Sequence, residues 1–270
     1  MERPAWAPQG IDLSVPSVSR MYDYYLGGSH NFEVDREAAR RAMEFMPGLP
    51  KIMKANRAFM RRTVEFASAQ GISQFLDIGS GIPAAGHVHE VAAALDPDAT
   101  VLYVDHDPVA VAHSRAVLEG NPNADVVNAD LREPGKILRS QEAAALLDLE
   151  RPVAVLLNFV LHFVEDKDQP YRAVAELRDA LAPGSLLTIT HASYDGVPVP
   201  QEDTEASVAV YSDIRNPLVM RSREQIARFF DGFELVEPGV VSMPDWRPAD
   251  PADQEDPYAY SGFAGVGRTA

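Results

Sequence analysis

Hydrophobic residues in the first quarter of the chain recur at helical spacing. The apolar face of a first helix is formed by Val18, Met21, Tyr22 and Tyr25. That of a second, longer helix is formed by Ile52, Phe59, Met60, Val64 and Ala67. Gly27-Gly28 ends the first helix, and residues 1–16, with three prolines, show no such spacing. We therefore predict a loose leading segment over 1–16 and a helical cap over 17–71.

From residue 72 onward, short aliphatic or β-branched runs alternate with helical patterns. The predicted strands are Gln74–Ile78, Thr100–Asp105, Ala124–Ala129, Val153–Phe159 and Ser185–His191. The predicted helices between and after them are Ala84–Leu95, Pro108–Glu119, Pro134–Leu147 and Pro170–Leu181. This alternation is typical of a parallel sheet with helices on both faces. We predict an α/β, Rossmann-like, doubly wound fold.

The tail of the chain predicts an antiparallel edge. A capping box at Ser222 and Gln225 starts a helix that ends at Phe230. Strands follow at Phe233–Val241 and near Phe263–Gly267, separated by a Pro- and Asp-rich segment, 243–257, that predicts an exposed loop. The sheet is therefore expected to have seven strands, mostly parallel with the last strand antiparallel, within one domain over 72–270.

Charge and composition exclude several classes of partner. Asp and Glu number 40 against 24 Lys and Arg, for a net charge of −16, which repels nucleic acids and anionic membranes. The longest apolar run, 152–164, is too short to span a bilayer. With no cysteine, the chain fits a reducing compartment, and we expect a cytoplasmic protein. Residues 36–62 are an exception, with eight basic and two acidic side chains. Because of this basic segment, the net charge does not exclude an anionic substrate.

A glycine turn follows the first predicted strand, in the run Asp77-Ile-Gly79-Ser-Gly81. In a doubly wound sheet this turn faces the ligand crevice. Its spacing fits both a dinucleotide such as NAD and S-adenosylmethionine (SAM), since Asp105 ends the next strand where a ribose would lie. Charge favours SAM, because the Asp77 carboxylate would repel a pyrophosphate and Pro83 lacks the N–H that a phosphate needs. A tight turn without a ligand is the remaining interpretation.

Four segments at or near the predicted strand ends are Asp77–Gly81, Val104–Asp107, Asn128–Leu131 and Val155–Val164. They resemble motifs of the class I SAM-dependent methyltransferases. Four further segments are Arg20–Gly28, Ala55–Phe59, Val88–Glu90 and Pro244–Pro248. These resemble a bacterial family named "S-adenosyl methyltransferase", formerly a domain of unknown function. The resemblance implies a SAM-dependent methyltransferase fold and cofactor, but no particular methyl acceptor.

Carried onto this sequence, the class pattern implies a set of cofactor contacts. Gly79 and Gly81 would line the methionine part of SAM, while Asp77 holds the turn or meets the ammonium group. Asp105 would accept from both ribose hydroxyls, with a strand-end turn as its alternative role. The remaining implied cofactor residues are Asp130 at the adenine amino group, His106 and Leu131 near the ring, Asn158 in the fourth-strand motif, and Arg20 and Arg57 for the carboxylate.

Methyl transfer to an O–H group also requires removal of a proton, and His162 is the candidate general base. Its Leu-His context resembles that of small-molecule O-methyltransferases, although a structural role is equally open. His191, Tyr22 and Tyr25 are candidate substrate contacts, with core packing as the alternative for the tyrosines. The histidine spacing predicts no metal site.

The sequence leaves three functions open. The first is O- or N-methylation of a small molecule beneath the helical cap. The second is a SAM-binding regulatory protein without transferase activity, and the third is an NAD-linked oxidoreductase. The acceptor and the oligomeric state are not predicted.

Overall fold

The structure is a computed structural model that describes residues 14–82, 86–213, 217–249, 254 and 256–270. Most of the predicted leading segment therefore lies outside the described residues. So do the first two residues of the predicted helix Ala84–Leu95 and part of the predicted loop 243–257.

One mixed sheet forms the centre of the molecule. Its strands are β1 (Gln74–Ile78), β2 (Thr100–Asp105), β3 (Ala124–Asn128), β4 (Ala154–Asn158), β5 (Leu186–Ala192), β6 (Glu234–Leu235), β7 (Val241–Ser242) and β8 (Gly262–Arg268). They are ordered β3-β2-β1-β4-β5-β8-β6, and β7 also pairs with β8. Strands β1 to β5 are parallel, whereas β8 runs antiparallel to β5. The predicted fold class is confirmed.

The edge of the sheet differs from the prediction. The single strand expected over Phe233–Val241 is instead the two short strands β6 and β7. Pro238 lacks a backbone donor, and Gly239 adopts a positive φ of 86°; together they break the extended run between β6 and β7. The described residues thus contribute eight strands rather than seven.

Ten α-helices occur in the described residues. They are α1 (Val18–Tyr25), α2 (Glu33–Phe45), α3 (Leu49–Ala69), α4 (Val88–Leu95), α5 (Pro108–Val117), α6 (Pro134–Leu138), α7 (Gln141–Leu146), α8 (Pro170–Asp179), α9 (Gln201–Asp213) and α10 (Arg223–Ala227). The segment predicted as one helix over Pro134–Leu147 is two, because the Ser140 hydroxyl accepts from Ala143 N and caps a new start. Helix α9 was not predicted.

The prediction of an exposed loop is wrong at Met243, Pro244 and Trp246, which are buried, whereas Asp245 is exposed. Trp246 is fully buried, with its ring edge-on to Phe59 and Phe66 of α3 at centroid distances of 5.3 and 5.7 Å. The buried guanidinium of Arg62 donates to the carbonyls of Met243 and Trp246 at 2.8 and 3.0 Å. Aromatic burial and these hydrogen bonds hold the C-terminal segment on α3.

The fold places a crevice at the carboxyl edge of the sheet. Strand order reverses between β1 and β4, and in sheets of this kind ligands bind outside the strand ends at such a reversal. No helix of the described residues is both long enough and apolar enough to cross a membrane.

Candidate functional site

A cavity lies between the crevice and helices α1, α3 and α9, and it opens to solvent. Two regions of its wall differ in chemistry. The polar end comes from α3 and the strand ends and consists of Arg57, Asp77, Gly79, Ser80, Gly81, Asp105, His106 and Asn158. The apolar chamber includes Tyr25, Met46, Leu49, Ile52, Met53, Phe163, Val208, Tyr211 and Leu218.

The two glycines of the turn are required for different reasons. Gly79 has φ of 76°, and a Cβ there would lie 2.4 Å from Val160 Cγ2, so a side chain is excluded by both conformation and space. Gly81 has φ of 68°, but no atom of the described residues lies within 4 Å of the corresponding Cβ position. Within that part of the chain, the turn leaves open space beside Gly81, next to the carboxylates of the polar end.

Asp105 is buried and oriented by the backbone. Its two carboxylate oxygens accept from Asp107 N and Gly81 N, both at 2.8 Å. Burial raises the pKa of this carboxyl group, while the His106 charge and the backbone hydrogen bonds lower it. A carboxylate offers about four acceptor positions. Asp105 thus retains acceptor capacity and lines the cavity.

Asp77 is a buried carboxylate with no hydrogen-bond donor on it among the described residues. Burial raises its pKa to about 7, the Arg57 charge lowers it, and Asp105 raises it. Arg57 forms no ion pair with the Asp77 carboxylate in the described part of the chain. A buried acid without a partner is costly unless a ligand supplies the missing positive charge or donor.

Arg57 and Asn158 bring donors to the same end. Arg57 Nη2 lies 3.2 Å from His87 Nε2. Burial, together with the Arg57 charge, lowers the pKa of His87 to about 3; the ring is therefore neutral and accepts from the guanidinium. The Nδ2 of Asn158 is buried without a partner in the described structure, while its Oδ1 accepts from the Thr188 hydroxyl at 3.4 Å.

His162 lines the cavity but is poorly suited to act as a base. Its Nδ1 accepts from Ala192 N at 3.3 Å, which places the proton of the neutral ring on Nε2. Burial lowers its pKa well below the ordinary value, and His191 and Arg221 add to the effect. A general base needs a free lone pair and a pKa near the working pH. The geometry instead makes His162 a neutral hydrogen-bond donor.

Tyr22 is held at the junction of the polar end and the chamber. Asn56 Nδ2 donates to its hydroxyl at 2.9 Å, and Thr190 Oγ1 donates to Asn56 Oδ1 at 2.6 Å. Burial raises the pKa of Tyr22, Arg57 lowers it, and Asp77 raises it further, so the hydroxyl lies within electrostatic range of both charges. One turn farther along α1, Tyr25 Oη lies 3.0 Å from Tyr211 Oη.

The profile of a family described as S-adenosyl methyltransferase matches residues 4–270. The chain belongs to this family. It is a SAM-dependent methyltransferase, and SAM is its cofactor, as the sequence motifs predicted. The dinucleotide alternative is therefore dropped.

Solved structures agree with this assignment. A DUF574 family protein from Streptomyces avermitilis is 34% identical, with a TM-score of 0.90 over 96% of this chain and 99% of that one. A candidate methyltransferase from Thermobifida fusca is 41% identical, with a TM-score of 0.91 over 98% and 99%. An O-methyltransferase family protein from Burkholderia thailandensis shares the fold at 13% identity, with a TM-score of 0.53 over 92% and 64%. No curated protein matches the sequence.

The structure does not bring every predicted residue of this methyltransferase to the cavity. Arg20 is buried in ion pairs with Asp35 at 2.8 Å and Asp107 at 3.3 Å, so its guanidinium ties α1 to α2 and to the start of α5. Arg132 Nε donates to both oxygens of the Asp130 carboxylate. Leu131 belongs to the hydrophobic core. These three side chains do not line the cavity.

His191, a candidate substrate contact, does not line the described cavity either. Its Nδ1 donates to Ala192 O at 2.8 Å, and its Nε2 accepts from Arg221 Nη1 at 2.9 Å. Burial lowers its pKa to about 3, so the ring is neutral. The same guanidinium donates to the carbonyls of Leu161 and Val164. His191 thus helps to fix the segment that carries His162.

Part of the chamber was missed because α9 was missed. Ser207, Val208 and Tyr211 face the cavity from this helix. Its first turn carries Glu202 and Asp203, which is a common helix-start signal and the one that would have located it. In the described ranges, no group of three or more His, Asp or Glu side chains is arranged to hold a metal ion.

Proposed function

We propose that this methyltransferase acts on a small, neutral and largely apolar molecule bound in the apolar chamber, at an oxygen or nitrogen atom. One observation carries the proposal. The carboxylate and guanidinium groups on the described cavity wall belong to Asp77, Asp105 and Arg57, and all three lie at the polar end. The exposed imidazole of His106 lies at the same end. A charged acceptor in the chamber would lose its hydration without gaining an ionic partner.

The residues at the polar end fit SAM. Asp105 would accept from the two ribose hydroxyls through its remaining lone pairs, and the unpartnered Asp77 would meet the ammonium group. Among the described residues, the space beside Gly81 is open to the methionine chain. Arg57 and the orphaned Asn158 amide supply donors for the carboxylate. Arg20, Asp130 and Leu131 are left out, because their side chains have other partners or lie in the core.

When bound, SAM supplies a methyl group already activated by a sulfonium. The chain's own residues then have to position the acceptor and exclude water. The apolar chamber wall excludes water. The Tyr22 hydroxyl, held in place by Asn56, borders the place where the acceptor meets the cofactor. Because His162 lacks a free lone pair, the site favours acceptors that need no protein base. A neutral amine attacks through its own lone pair, a phenol can bind as the ionised form, and in both cases the proton is released to solvent.

The basic segment 36–62 does not favour an anionic acceptor. Lys51 pairs with Asp256 at 2.7 Å, and Arg36 and Arg40 pair with Glu33. Arg62 is committed to backbone carbonyls. Of this segment's cations, Arg57 is the one that lines the described cavity.

The proposal is tested by methyl transfer from labelled SAM to acceptors that share a bicyclic ring: 2-naphthol, 2-naphthylamine and 2-naphthoate. We expect label on the neutral compounds and none on the carboxylate. Transfer to the naphthoate alone, or to none of the three, would contradict the proposed acceptor class.

A chamber variant provides the matched control for this assay. Val208→Glu places a charge in the chamber and is expected to abolish transfer while SAM still binds. Val117→Glu makes the same change at an exposed site on α5 and should leave transfer intact.

A further inference from the structure

The two phenols Tyr25 and Tyr211 come from distant parts of the chain and meet inside the cavity. Tyr25 lies on α1 and Tyr211 near the end of α9, and both line the chamber. Each is 5% exposed, and their oxygens are 3.0 Å apart. Val208 and Phe163 are apolar neighbours in the chamber wall, and the Phe163 ring lies 6.1 Å from that of Tyr211. The polar Ser207, one turn earlier on α9, donates its hydroxyl to Ala42 O at 3.2 Å.

The pair does not satisfy its own hydrogen-bonding capacity. Each phenol has one O–H donor, and a single hydrogen bond between the two uses only one of them. The structure gives neither hydroxyl a second partner among the described residues. Burial raises the pKa of Tyr25 well above its ordinary value and that of Tyr211 to about 12, so both keep their protons at physiological pH. One O–H therefore remains to be matched, and buried donors are rarely left unmatched.

The position of Tyr25 on α1 shows which part of the cavity the pair lies in. Arg57 and Asp77 both act on the pKa of Tyr22, whereas burial and Tyr211 raise that of Tyr25. Residues three apart on a helix are neighbours about 5–6 Å apart at Cβ. The pair thus lies roughly one helical turn beyond the junction, on the side away from the polar end.

We propose that Tyr25 and Tyr211 form a hydrogen-bonding clamp for an oxygen of the acceptor that is remote from the methylated atom. This rests on the proposed function and narrows the acceptor class to neutral, mostly apolar molecules that carry a carbonyl, ether or hydroxyl oxygen at their far end. The clamp is a specificity-determining contact, and it takes no part in the transfer itself.

The test compares two probes that differ at one position, 2-acetylnaphthalene and 2-ethylnaphthalene. Binding is measured by ligand-observed NMR with S-adenosylhomocysteine at saturation. The double variant Tyr25→Phe/Tyr211→Phe keeps both rings and removes both hydroxyls. The ratio of wild-type to variant affinity cancels the difference in hydrophobicity between the probes.

We expect the double variant to weaken 2-acetylnaphthalene about three- to tenfold, which is the range for one hydrogen bond to a neutral group, and to leave 2-ethylnaphthalene unchanged. Tyr24→Phe, on the same helix but outside the cavity wall, should change neither probe. It serves as the matched control.

Three other outcomes have distinct meanings. Equal weakening of both probes would show that the pair only holds α9 against α1, and would overturn the clamp. No weakening of either probe would overturn it as well. If neither probe bound the wild-type protein, the neutral acceptor chamber itself would be refuted, and the clamp with it.

Discussion

The buried carboxylate of Asp77 provides a prediction that separates ligand binding from folding. It has no donor on it among the described residues, and burial raises its pKa from 3.8 to about 7. A cationic ligand should bind the ionised form. With a pKa of about 7, the ionised fraction rises from roughly one in eleven at pH 6 to ten in eleven at pH 8. We therefore expect SAM affinity to increase about tenfold over that interval.

The isosteric change Asp77→Asn removes the charge and should remove this pH dependence. SAM should bind the variant more weakly than wild type at pH 8, and the affinity of the variant itself should be the same at pH 6 and at pH 8. Calorimetric titration at the two pH values measures both quantities. The exposed substitution Asp98→Asn serves as the control and should retain the wild-type slope.

The same carboxyl group affects stability in the opposite direction. Its folded pKa exceeds its unfolded one, so the folded state binds more protons between about pH 4 and 7, and stability falls as the pH rises through that window. A shift of about 3 pH units corresponds to at most about 4 kcal/mol. Ligand-free Asp77→Asn should thus unfold at higher denaturant concentration than wild type at pH 8. A flat pH profile of SAM binding in wild type, or a less stable variant at pH 8, would refute the reasoning.

Asp105→Ala should reduce SAM affinity by about 100-fold or more in calorimetry, because contacts to a charged acceptor are lost, while circular dichroism shows a folded protein; unchanged affinity would mean that the ribose lies elsewhere. Trp246→Ala should cost about 3–5 kcal/mol in denaturant unfolding, since the indole is fully buried against α3; a cost below about 1 kcal/mol would contradict its anchoring role. His162→Asn keeps an acceptor for Ala192 N, so turnover should stay within a few fold of wild type, and the pH–rate profile of the wild type should show no limb near pH 6.5. A loss of turnover of 100-fold or more in the variant would show that His162 acts as the base.

The sequence predicted the parallel part of the sheet almost to the residue. Strands β1 and β2 were placed with their observed bounds, because both are short apolar runs with clear turn signals. The serial positions of Asp77 and Asp105 then placed both carboxylates at one sheet edge. Local pattern and topology were sufficient for these features.

Sequence patterns did not predict the contacts between distant segments. Nothing near Arg20 signals that Asp35 and Asp107 will pair with it. Trp246 lies in a Pro- and Asp-rich run that is typical of exposed loops, and only α3 explains its burial. Tertiary packing overrides local composition at both places.

The chamber was the least predictable part of the site. It depends on α9, whose apolar residues do not form a clear stripe, and on the meeting of Tyr211 with Tyr25 across 186 positions of sequence. Tyr25 itself was proposed as a substrate contact from its helical spacing, and that role remains a prediction.

A crystal structure of the protein with S-adenosylhomocysteine would show whether the polar end holds the cofactor. We expect ribose oxygens within hydrogen-bonding distance of Asp105, the amino group on Asp77, and the sulfur facing the chamber beside Tyr22. A ribose placed away from Asp105, or an amino-acid tail that fills the chamber between Tyr25 and Tyr211, would contradict this placement.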